Sequence, residues 1–335
     1  MRKLLLYLVA IITITCFVAC DMNTYYTVKF DANGAEGDVP APITVRRGKS
    51  FTAPSGDSLS IEGLTFCGWN SSKGGRWEAE YKVNQSVNVF GDLILYAHWK
   101  SDCIYFSTDN RETYAFVKGV LSKAENVSSV VIPHVYNGLP VTGIGYYAFL
   151  NCNKSLMKVT MPSSITHIAE AAFHYCSRLT TITIPEGVTS IGKAAFAGCS
   201  GLTGSLVIPE GVTRIESSTF SGCSGLASIT IPRSVTSIGE RAFTHCRGLM
   251  SVTIPEGVTR IESSAFSYCY GLTSITIPES VTSIGDSVFY ECRSLSSIIY
   301  SGTCSQWNSI QKDFWWNDGT ANYTIHCTDG DIAKN

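Results

Sequence analysis

Residues 179–199 read LTTITIPEGVTSIGKAAFAGC, and close copies of this string follow one another through the second half of the chain. The prolines that end the short aliphatic runs lie 23 or 24 residues apart from Pro162 to Pro278. Phenylalanine keeps the same step from Phe149 to Phe289. A fixed period of this length predicts coils that stack on one another, because one coil is too small to bury its own apolar face.

The order of residues within one coil predicts its path. Alternate positions in residues 179–184 are aliphatic, as in a short strand with one buried face. Pro185 ends this strand because proline cannot donate to a continuing ladder. Val188 and Ile191 return the chain to the core, and Phe196 follows in a turn or a short helical piece. The sequence therefore predicts a mainly β solenoid.

The strings IPEGVTSIG at residues 184–192 and AFAGC at residues 195–199 resemble the BspA-type (Treponema pallidum-type) leucine-rich repeat. The resemblance extends from about residue 103 to the end of the chain. It implies a right-handed leucine-rich-repeat solenoid with short strands on one side and turns or short helical pieces on the convex side. The family consists of cell-surface and secreted proteins, and it is associated with adhesion to host matrix proteins, to other bacteria and to host cells.

The repeats occupy residues 128–302, and the segments on both sides of them differ in composition. Residues 103–127 are interpreted as an N-terminal cap made of one hairpin, and residues 303–335 as a C-terminal cap and tail. The first coil carries an insertion at residues 134–140. We expect this insertion to form a hairpin that bulges from the stack, where it interrupts an otherwise uniform surface.

The beginning of the chain has the features of an export signal. Two basic residues precede an uncharged, mostly apolar run from Leu4 to Ala19, which is shorter than the roughly 20 residues of a spanning helix. The run leads to Cys20 in a pattern that resembles a bacterial lipobox. Residues 1–20 are therefore predicted to be a signal peptide with a lipobox, and Cys20 the lipidation site. A plainly cleaved signal and an uncleaved anchor are the alternatives.

Residues 25–100 differ from the repeats and are rich in strand-forming and aromatic residues. Three motifs resemble the Listeria–Bacteroides (internalin-type B) repeat, namely VKFDANG at 28–34, FCGW at 66–69 and LYAHW at 95–99. The resemblance implies a small β-grasp-like domain that serves as a spacer or an accessory binding unit in surface proteins.

Three tryptophans of this small domain allow two interpretations. Trp69, Trp77 and Trp99 are either an aromatic face that contacts a ligand or part of the hydrophobic core. We favour the core, because aromatic residues in alternating strand patterns are usually buried.

Composition excludes several classes of function. The formal net charge is -2, so no basic excess favours nucleic-acid binding. The chain has no P-loop, dinucleotide fingerprint, nucleophile elbow or HExxH motif, so no enzyme and no cofactor is predicted. His174 lies near Cys176, and His245 adjoins Cys246. No metal site is predicted there, because the coil sends neighbouring side chains in different directions and a site needs three or four converging ligands.

Cysteine recurs with the coils. We interpret these repeat cysteines as a ladder of buried free thiols rather than disulfides, because equivalent side chains point the same way and their number is odd. They are Cys152, Cys176, Cys199, Cys223, Cys246, Cys269 and Cys292. Cys304 and Cys327 in the C-terminal cap are expected to be free as well, and a disulfide between them is the alternative.

Two surfaces are candidate binding sites. The outward strand positions form a face with hardly any charge, which in leucine-rich repeats is usually concave and often binds a ligand. Its candidate residues are Thr181, Thr183, Ser228, Thr230, Ser251, Thr253, Ser274 and Thr276. The alternative is that serine and threonine are simply good exposed strand formers. Trp315 and Trp316 either contact a ligand or cover the open core of the last coil.

The resemblance and these surfaces together favour a lipid-anchored protein at the bacterial cell surface or outer membrane. It is expected to be a monomer, to bind host matrix proteins or other cells as an adhesin, and to contact the membrane through its N-terminal lipid. A structural or assembly role in the envelope, without a host ligand, is the alternative.

Overall fold

A computed structural model describes residues 24–73, 79–101, 103–109, 114–120, 127–152 and 155–334. The predicted signal peptide with Cys20, and Trp77, lie outside the described residues. The chain divides into two compact units. The first ends at Lys100 and leaves out Glu62–Leu64, which belong with Ser101–Asn335 to the second. Within the described part of the chain, we find no helix that is long and apolar enough to cross a bilayer.

The first unit is built from six strands. These are β1 (Tyr25–Asp31), β2 (Ile43–Arg46), β3 (Ser50–Thr52), β4 (Thr65–Asn70), β5 (Ser86–Asn88) and β6 (Leu93–Lys100). Four of them form a mixed sheet in the order β2-β1-β6-β4, in which only the central β1 and β6 run parallel. β3 and β5 form a separate antiparallel pair.

The aromatic residues of this unit pack edge to face in its interior. Phe30 and Phe66 lie 4.9 and 5.3 Å from Trp69, measured between ring centroids, and Phe66 lies 5.5 Å from Trp99. Trp69 and Trp99 are both fully buried. The interpretation of these two tryptophans as core residues is therefore confirmed.

In the second unit, each coil contributes one strand to a strand face. These strands are β9 (Ser129–Val131), β12 (Lys158–Thr160), β14 (Thr181–Ile182), β16 (Gly204–Val207), β18 (Leu226–Thr230), β20 (Ser251–Thr253), β22 (Ser274–Ile277), β24 (Ser297–Tyr300) and β26 (Thr324–Cys327). They pair in parallel, and β27 (Gly330–Ala333) closes the sheet by pairing antiparallel with β26. The fold is the mainly β solenoid that the sequence predicts.

A second set of short strands forms another side of the stack. It starts with the antiparallel hairpin of β7 (Ile104–Thr108) and β8 (Ala115–Val120). Parallel strands follow, namely β11 (Leu139–Ile144), β13 (His167–Ile168), β15 (Ser190–Ile191), β17 (Arg214–Ile215), β19 (Ser237–Ile238), β21 (Arg260–Ile261), β23 (Ser283–Ile284) and β25 (Gln311–Lys312). The third side consists of turns.

Both sets of strands are interrupted between the same two coils. β14 does not pair with β16, and β15 does not pair with β17. This step is 24 residues long from Pro185 to Pro209, one more than the usual step. Gly204 absorbs the additional residue with a φ of 77°, and the strand register shifts beside it. A single inserted residue therefore divides the strand face into two parts.

A stack of parallel phenylalanine rings runs through the core of the solenoid. The seven rings, from Phe149 to Phe289, lie 4.9–5.9 Å apart between centroids and are tilted by at most 17°. All seven side chains are fully buried. Each coil thus buries its ring between the rings of its neighbours, which explains why no coil can fold alone.

The insertion in the first coil does not bulge from the stack as we expected. It forms a hairpin of β10 (Val135–Tyr136) and β11, with a turn at Asn137 and Gly138. Val135 and Asn137 are buried. The ring of Tyr136 stacks on Phe106 of β7, with 4.2 Å between the centroids. The hairpin therefore packs against the N-terminal end of the solenoid, because its apolar side chains find partners there.

The C-terminal cap covers the last coil with aromatic side chains. Thr303 caps helix α1 (Cys304–Ser309) through a capping box. Trp307 of this helix lies 5.3 Å from the ring of Tyr300 and 6.1 Å from that of Trp316. Trp316 in turn lies 6.1 Å from Phe289, the last ring of the stack.

Candidate functional site

The strand face brings most of its predicted residues into regular rows. Ser228, Ser251 and Ser274 are direct neighbours on β18, β20 and β22, and Thr253 lies beside Thr276. These side chains are exposed or half-buried. The serine row is uniform as far as Ser297, whereas the threonine row continues through Ile299 to His326 at the C-terminal end of the sheet. From β18 to β22 the rows contain no aromatic ring or charge that would select one ligand.

Thr181 and Thr183 are not part of these rows. They lie on the other side of the interruption, where Thr181 pairs with Lys158 of β12. Beyond Ile182 the two strands separate and leave a recess of about 270 Å³ between residues 158–161 and 181–183. The structure therefore divides the predicted face into a two-residue part and a six-residue part.

Trp315 and Trp316 have different environments. The side chain of Trp316 is half-buried and packs against the core, so it covers the last coil. Trp315 points away from the core and is 68% exposed, next to Phe314 at 84%. Trp316 therefore covers the open core of the last coil, which was one interpretation of the pair. Trp315 is accessible to a ligand, which was the other.

The turn side is held together by backbone hydrogen bonds between coils. The amide of Phe220 donates to the carbonyl of Ala242, and the amide of Phe243 to that of Ala265. To present these groups, the backbone adopts a positive φ two residues before and two residues after each phenylalanine of the stack from Phe149 to Phe289. In this left-handed region, glycine avoids the steric cost that a side chain incurs.

A groove runs along this turn side near the C-terminal end of the solenoid, with a volume of about 710 Å³. We call it the turn-face groove. It is lined by Ser221, Arg241, Thr244, His245, Ser264, Ser267, Tyr268, Ser287, Tyr290, Trp315 and Asp318. Its volume lies in the range of small-molecule binding sites, which is roughly 300–1,000 Å³.

Aromatic side chains form the groove although the backbone there favours glycine. Two residues after the phenylalanine, two consecutive coils have Gly198 and Gly222. The next two coils have His245 and Tyr268 at the same position, with φ values of 60° and 59°. A bulky residue in the left-handed region costs roughly 1–2 kcal/mol, a cost that Tyr175 of an earlier coil incurs as well. Trp315 has a φ of 52°.

Ring contacts and charges organise the groove and its surroundings. The imidazole of His245 stacks on the ring of Tyr268, with 4.5 Å between centroids, and Tyr268 meets Tyr290 edge to face at 5.4 Å. Burial, and secondarily the charge of Arg247, lowers the pKa of His245, so this imidazole is neutral at pH 7. The guanidinium of Arg241 lies 3.3 Å from the carboxylate of Glu240. The groove therefore has little net charge of its own.

The repeat pattern of the sequence does not predict the groove. Its residues come from four coils and from the C-terminal cap, whereas the binding positions predicted from the repeat lie on the strands. A signal was present in the column two residues after each phenylalanine, where glycine changes to an aromatic side chain at the groove. The column reads Asn151, Tyr175, Gly198, Gly222, His245, Tyr268 and Glu291. A change of this kind at a fixed repeat position marks a surface that differs between coils.

The cysteine ladder is built as the sequence predicts. Six of its seven thiols are fully buried, and Cys152 at the beginning is half-buried. Each buried thiol donates to the backbone carbonyl of a phenylalanine of the stack; for example, the thiol of Cys246 lies 3.1 Å from the oxygen of Phe220. Burial raises the pKa of Cys223 and of Cys292 to about 12. Cys223 and Cys292 are therefore protonated at neutral pH, and the six buried thiols of the ladder have a structural role.

The cap thiols have a different arrangement. Cys304 and Cys327 are free and half-buried, and their sulfur atoms lie within 4.8 Å of one another and of a carboxylate oxygen of Asp329. The backbone amide of Cys304 donates to this carboxylate over 2.7 Å. Burial, together with the neighbouring Cys304, raises the pKa of Cys327 to about 12.

We expect alkylation to separate these two groups of thiols. An alkylating reagent at pH 7.5 should leave the six fully buried ladder cysteines unmodified in the folded protein, because the reagent cannot reach them. Cys304 is half-buried and should be modified under the same conditions unless it is linked to Cys327, whose own modification should be slow because its pKa is raised. Peptide mass mapping with and without denaturant measures this, and modification of Cys246 before unfolding would contradict the prediction.

Comparison with known proteins agrees with this architecture. Residues 113–225 and 202–318 match, in six copies, the family described as BspA type Leucine rich repeat region. The chain belongs to the BspA-type leucine-rich repeat family. Residues 26–98 match the Listeria-Bacteroides repeat domain. Both resemblances drawn from the sequence are confirmed. Proteins with these repeats are typically found at the cell surface, and leucine-rich repeat proteins generally mediate protein interactions.

Several solved structures are similar to this BspA-type protein. A leucine-rich repeat protein of T. pallidum is 28% identical, with 60% of this chain and 81% of that chain covered and a TM-score of 0.42. One from Bacteroides ovatus is 26% identical, with 68% and 71% covered and a TM-score of 0.45. A leucine rich cell surface protein from Faecalibacterium prausnitzii is 24% identical, with 63% and 97% covered and a TM-score of 0.36. No curated protein matches the chain.

Proposed function

We propose that this protein is an adhesin without enzymatic activity, held at the bacterial cell surface by lipid on Cys20. Its solenoid binds host matrix proteins or other cells as a monomer, and the Listeria-Bacteroides repeat domain acts as a spacer. The observation that carries the proposal is the turn-face groove, where Trp315, Tyr268, Tyr290 and Arg241 stand together. Tryptophan, tyrosine and arginine are the residues that contribute most to binding energy at interfaces.

The repeat supplies its own test variants for this groove. Tyr268→Gly copies Gly222 of a preceding coil, and Trp315→Ser introduces a side chain that Ser264 and Ser287 already show in this groove. Both changes remove aromatic contact area. Tyr268→Gly also removes a side chain from a left-handed position, and Trp315→Ser shortens one, so we expect both variants to keep the fold. Tyr175→Gly is the matched control, because Tyr175 has the same position and a φ of 57° but lies outside the groove.

We expect saturable binding of the full chain to immobilised matrix proteins or to cells. Trp315→Ser and Tyr268→Gly should each weaken it by about tenfold, which is the loss of one aromatic contact. Tyr175→Gly should bind as the unchanged protein does. If the full chain showed no saturable binding to any of these targets, the adhesin proposal would be refuted. If all three variants lost affinity equally, the groove would not be the binding site.

A second test concerns the anchor. Bacteria that express the full chain should incorporate radiolabelled palmitate into it, and Cys20→Ser should abolish the label, because acylation at a lipobox requires that thiol. Two or more acyl chains hold a protein at a membrane, since each buried methylene contributes about 0.8 kcal/mol. Label that persists in Cys20→Ser would contradict lipidation at this residue, and Cys67→Ser is the control substitution.

A structural role in the envelope is the second candidate, and the strand face favours it. Its aligned serine rows repeat without a break from β18 to β24, as expected for a surface that selects no ligand. This candidate predicts that a strain lacking the protein loses envelope integrity, measured as sensitivity to detergent, while its attachment to host cells is unchanged.

A further inference from the structure

The lining of the turn-face groove has an unusual combination of side chains. It consists of hydroxyl groups, aromatic rings, one arginine and one aspartate, and it includes no aliphatic side chain. Two of its hydroxyl-bearing residues, Thr244 and Ser267, are buried, and the hydroxyl of Thr244 donates to the backbone carbonyl of Ser264.

The aromatic rings are suited to the apolar faces of sugar rings. Trp315 is 68% exposed and Tyr290 is half-buried, while one face of the half-buried Tyr268 is covered by the stacked imidazole of His245. Pyranose rings present C–H groups on their faces and hydroxyl groups on their edges. The C–H groups pack on aromatic faces, while the hydroxyls exchange hydrogen bonds with serine, threonine and charged side chains.

The charges of the groove favour a neutral ligand. Arg241 is its one arginine, and Glu240 beside it compensates the positive charge at 3.3 Å. Asp318 places an exposed carboxylate at the opposite end of the lining. A sulfated chain carries several negative charges that this single, paired arginine does not match, whereas the hydroxyls of a neutral sugar can accept from Arg241 and donate to Asp318.

The length of the groove fits a short chain of sugars. Its lining extends over successive coils from Arg241 to Trp315, and the core rings of these coils are spaced by 5.2 and 5.9 Å. A hexose unit in a linear oligosaccharide advances by a similar distance. Because neighbouring strands of a sheet lie about 4.8 Å apart, a chain of three or four hexoses would place one sugar ring beside each coil.

We propose that the turn-face groove binds a neutral oligosaccharide of about three to four hexose units, of the kind carried by glycoproteins. The proposal rests on the adhesin function proposed above and gives its ligand class. It gives a role to the side chains of His245 and Tyr268, which occupy left-handed positions where Gly198 and Gly222 stand in the two preceding coils.

The full chain on an array of neutral, sialylated and sulfated oligosaccharides tests this directly. We expect binding to neutral members, weakened about tenfold by Trp315→Ser and by Tyr268→Gly and unchanged by Tyr175→Gly. Thermal unfolding of each variant verifies that it is folded. Binding to no oligosaccharide, binding to acidic ones alone, or full binding by the two groove variants would overturn the proposal.

Enzymatic removal of sugars from the adhesion targets distinguishes the two proposals. If attachment of the full chain disappears with the sugars, both are supported. If attachment persists on sugar-free targets and still depends on Trp315, the adhesin stands and the oligosaccharide is wrong. If the full chain binds neutral sugars on the array but binds no matrix protein or cell, the oligosaccharide proposal stands and the adhesin proposal is wrong.

Discussion

Replacing Phe243 with alanine is expected to lower the free energy of unfolding by about 3–5 kcal/mol, the usual range for a phenylalanine removed from a core. Phe243 is fully buried between Phe220 and Phe266, whose ring centroids lie 5.6 and 5.2 Å away. The alanine leaves a cavity that neither neighbour can fill. Their backbones are fixed by the hydrogen bonds between coils, as in the bond from the Phe243 amide to Ala265.

The position of this phenylalanine in the stack adds a second effect. Each coil contacts only its neighbours, so a weak coil in the middle divides the array into two parts that unfold separately. We expect urea unfolding of Phe243→Ala, followed by circular dichroism, to show a broader transition as well as a lower midpoint. Met250→Ala is the control, because Met250 is 61% exposed and its loss should change stability by less than about 0.5 kcal/mol. An unchanged, sharp transition in Phe243→Ala would contradict the role of the stack.

The repeat made the fold predictable because its period carries three kinds of information at once. The proline ends a strand, the phenylalanine fixes a core position and the cysteine fixes another, so every copy confirms the same path. The interruption at Gly204 was visible as a step of 24 residues from Pro185 to Pro209, but its consequence was not. Whether an added residue bulges outward or separates two strands depends on backbone geometry that a spacing does not contain.

The candidate site was less predictable for a related reason. Strand residues follow a period of two, so the outward serines and threonines could be identified from the sequence. The turn side has no such simple period, and its outward residues depend on left-handed positions such as Tyr268 and Trp315. The sequence also could not show which of the two neighbouring tryptophans is buried. The cap that folds over Phe289 buries part of Trp316 and leaves Trp315 exposed.

The cysteine ladder should make the stability of the protein fall steeply at alkaline pH. A cysteine in an unfolded chain has a pKa near 8.5, whereas burial raises the pKa of Cys223 and Cys292 to about 12. Above about pH 8.5 the unfolded chain therefore releases protons that the folded protein retains. The unfolded state then binds fewer protons, so stability decreases as pH rises, and below that pH these thiols have no effect.

The expected size of this decrease is large because the thiols act together. At pH 10, each of these two thiols costs about 2 kcal/mol relative to neutral pH. The pKa values of Cys246 and Cys269 are raised as well, mainly by burial, and change stability in the same direction. Since a folded domain has only about 5–15 kcal/mol of stability, the solenoid should unfold below the pH at which its ladder would ionise.

The dependence of unfolding free energy on pH between about 8 and 11 measures this effect. Cys223→Ser is the diagnostic variant, because serine does not titrate in this range but still offers a hydroxyl to the carbonyl of Phe196, which the thiol of Cys223 contacts at 3.2 Å. Its slope should be smaller than that of the unchanged protein by one proton, about 1.4 kcal/mol for each pH unit. Equal slopes for both proteins would show that Cys223 ionises as readily in the fold as outside it, and would refute a protonated, structural ladder.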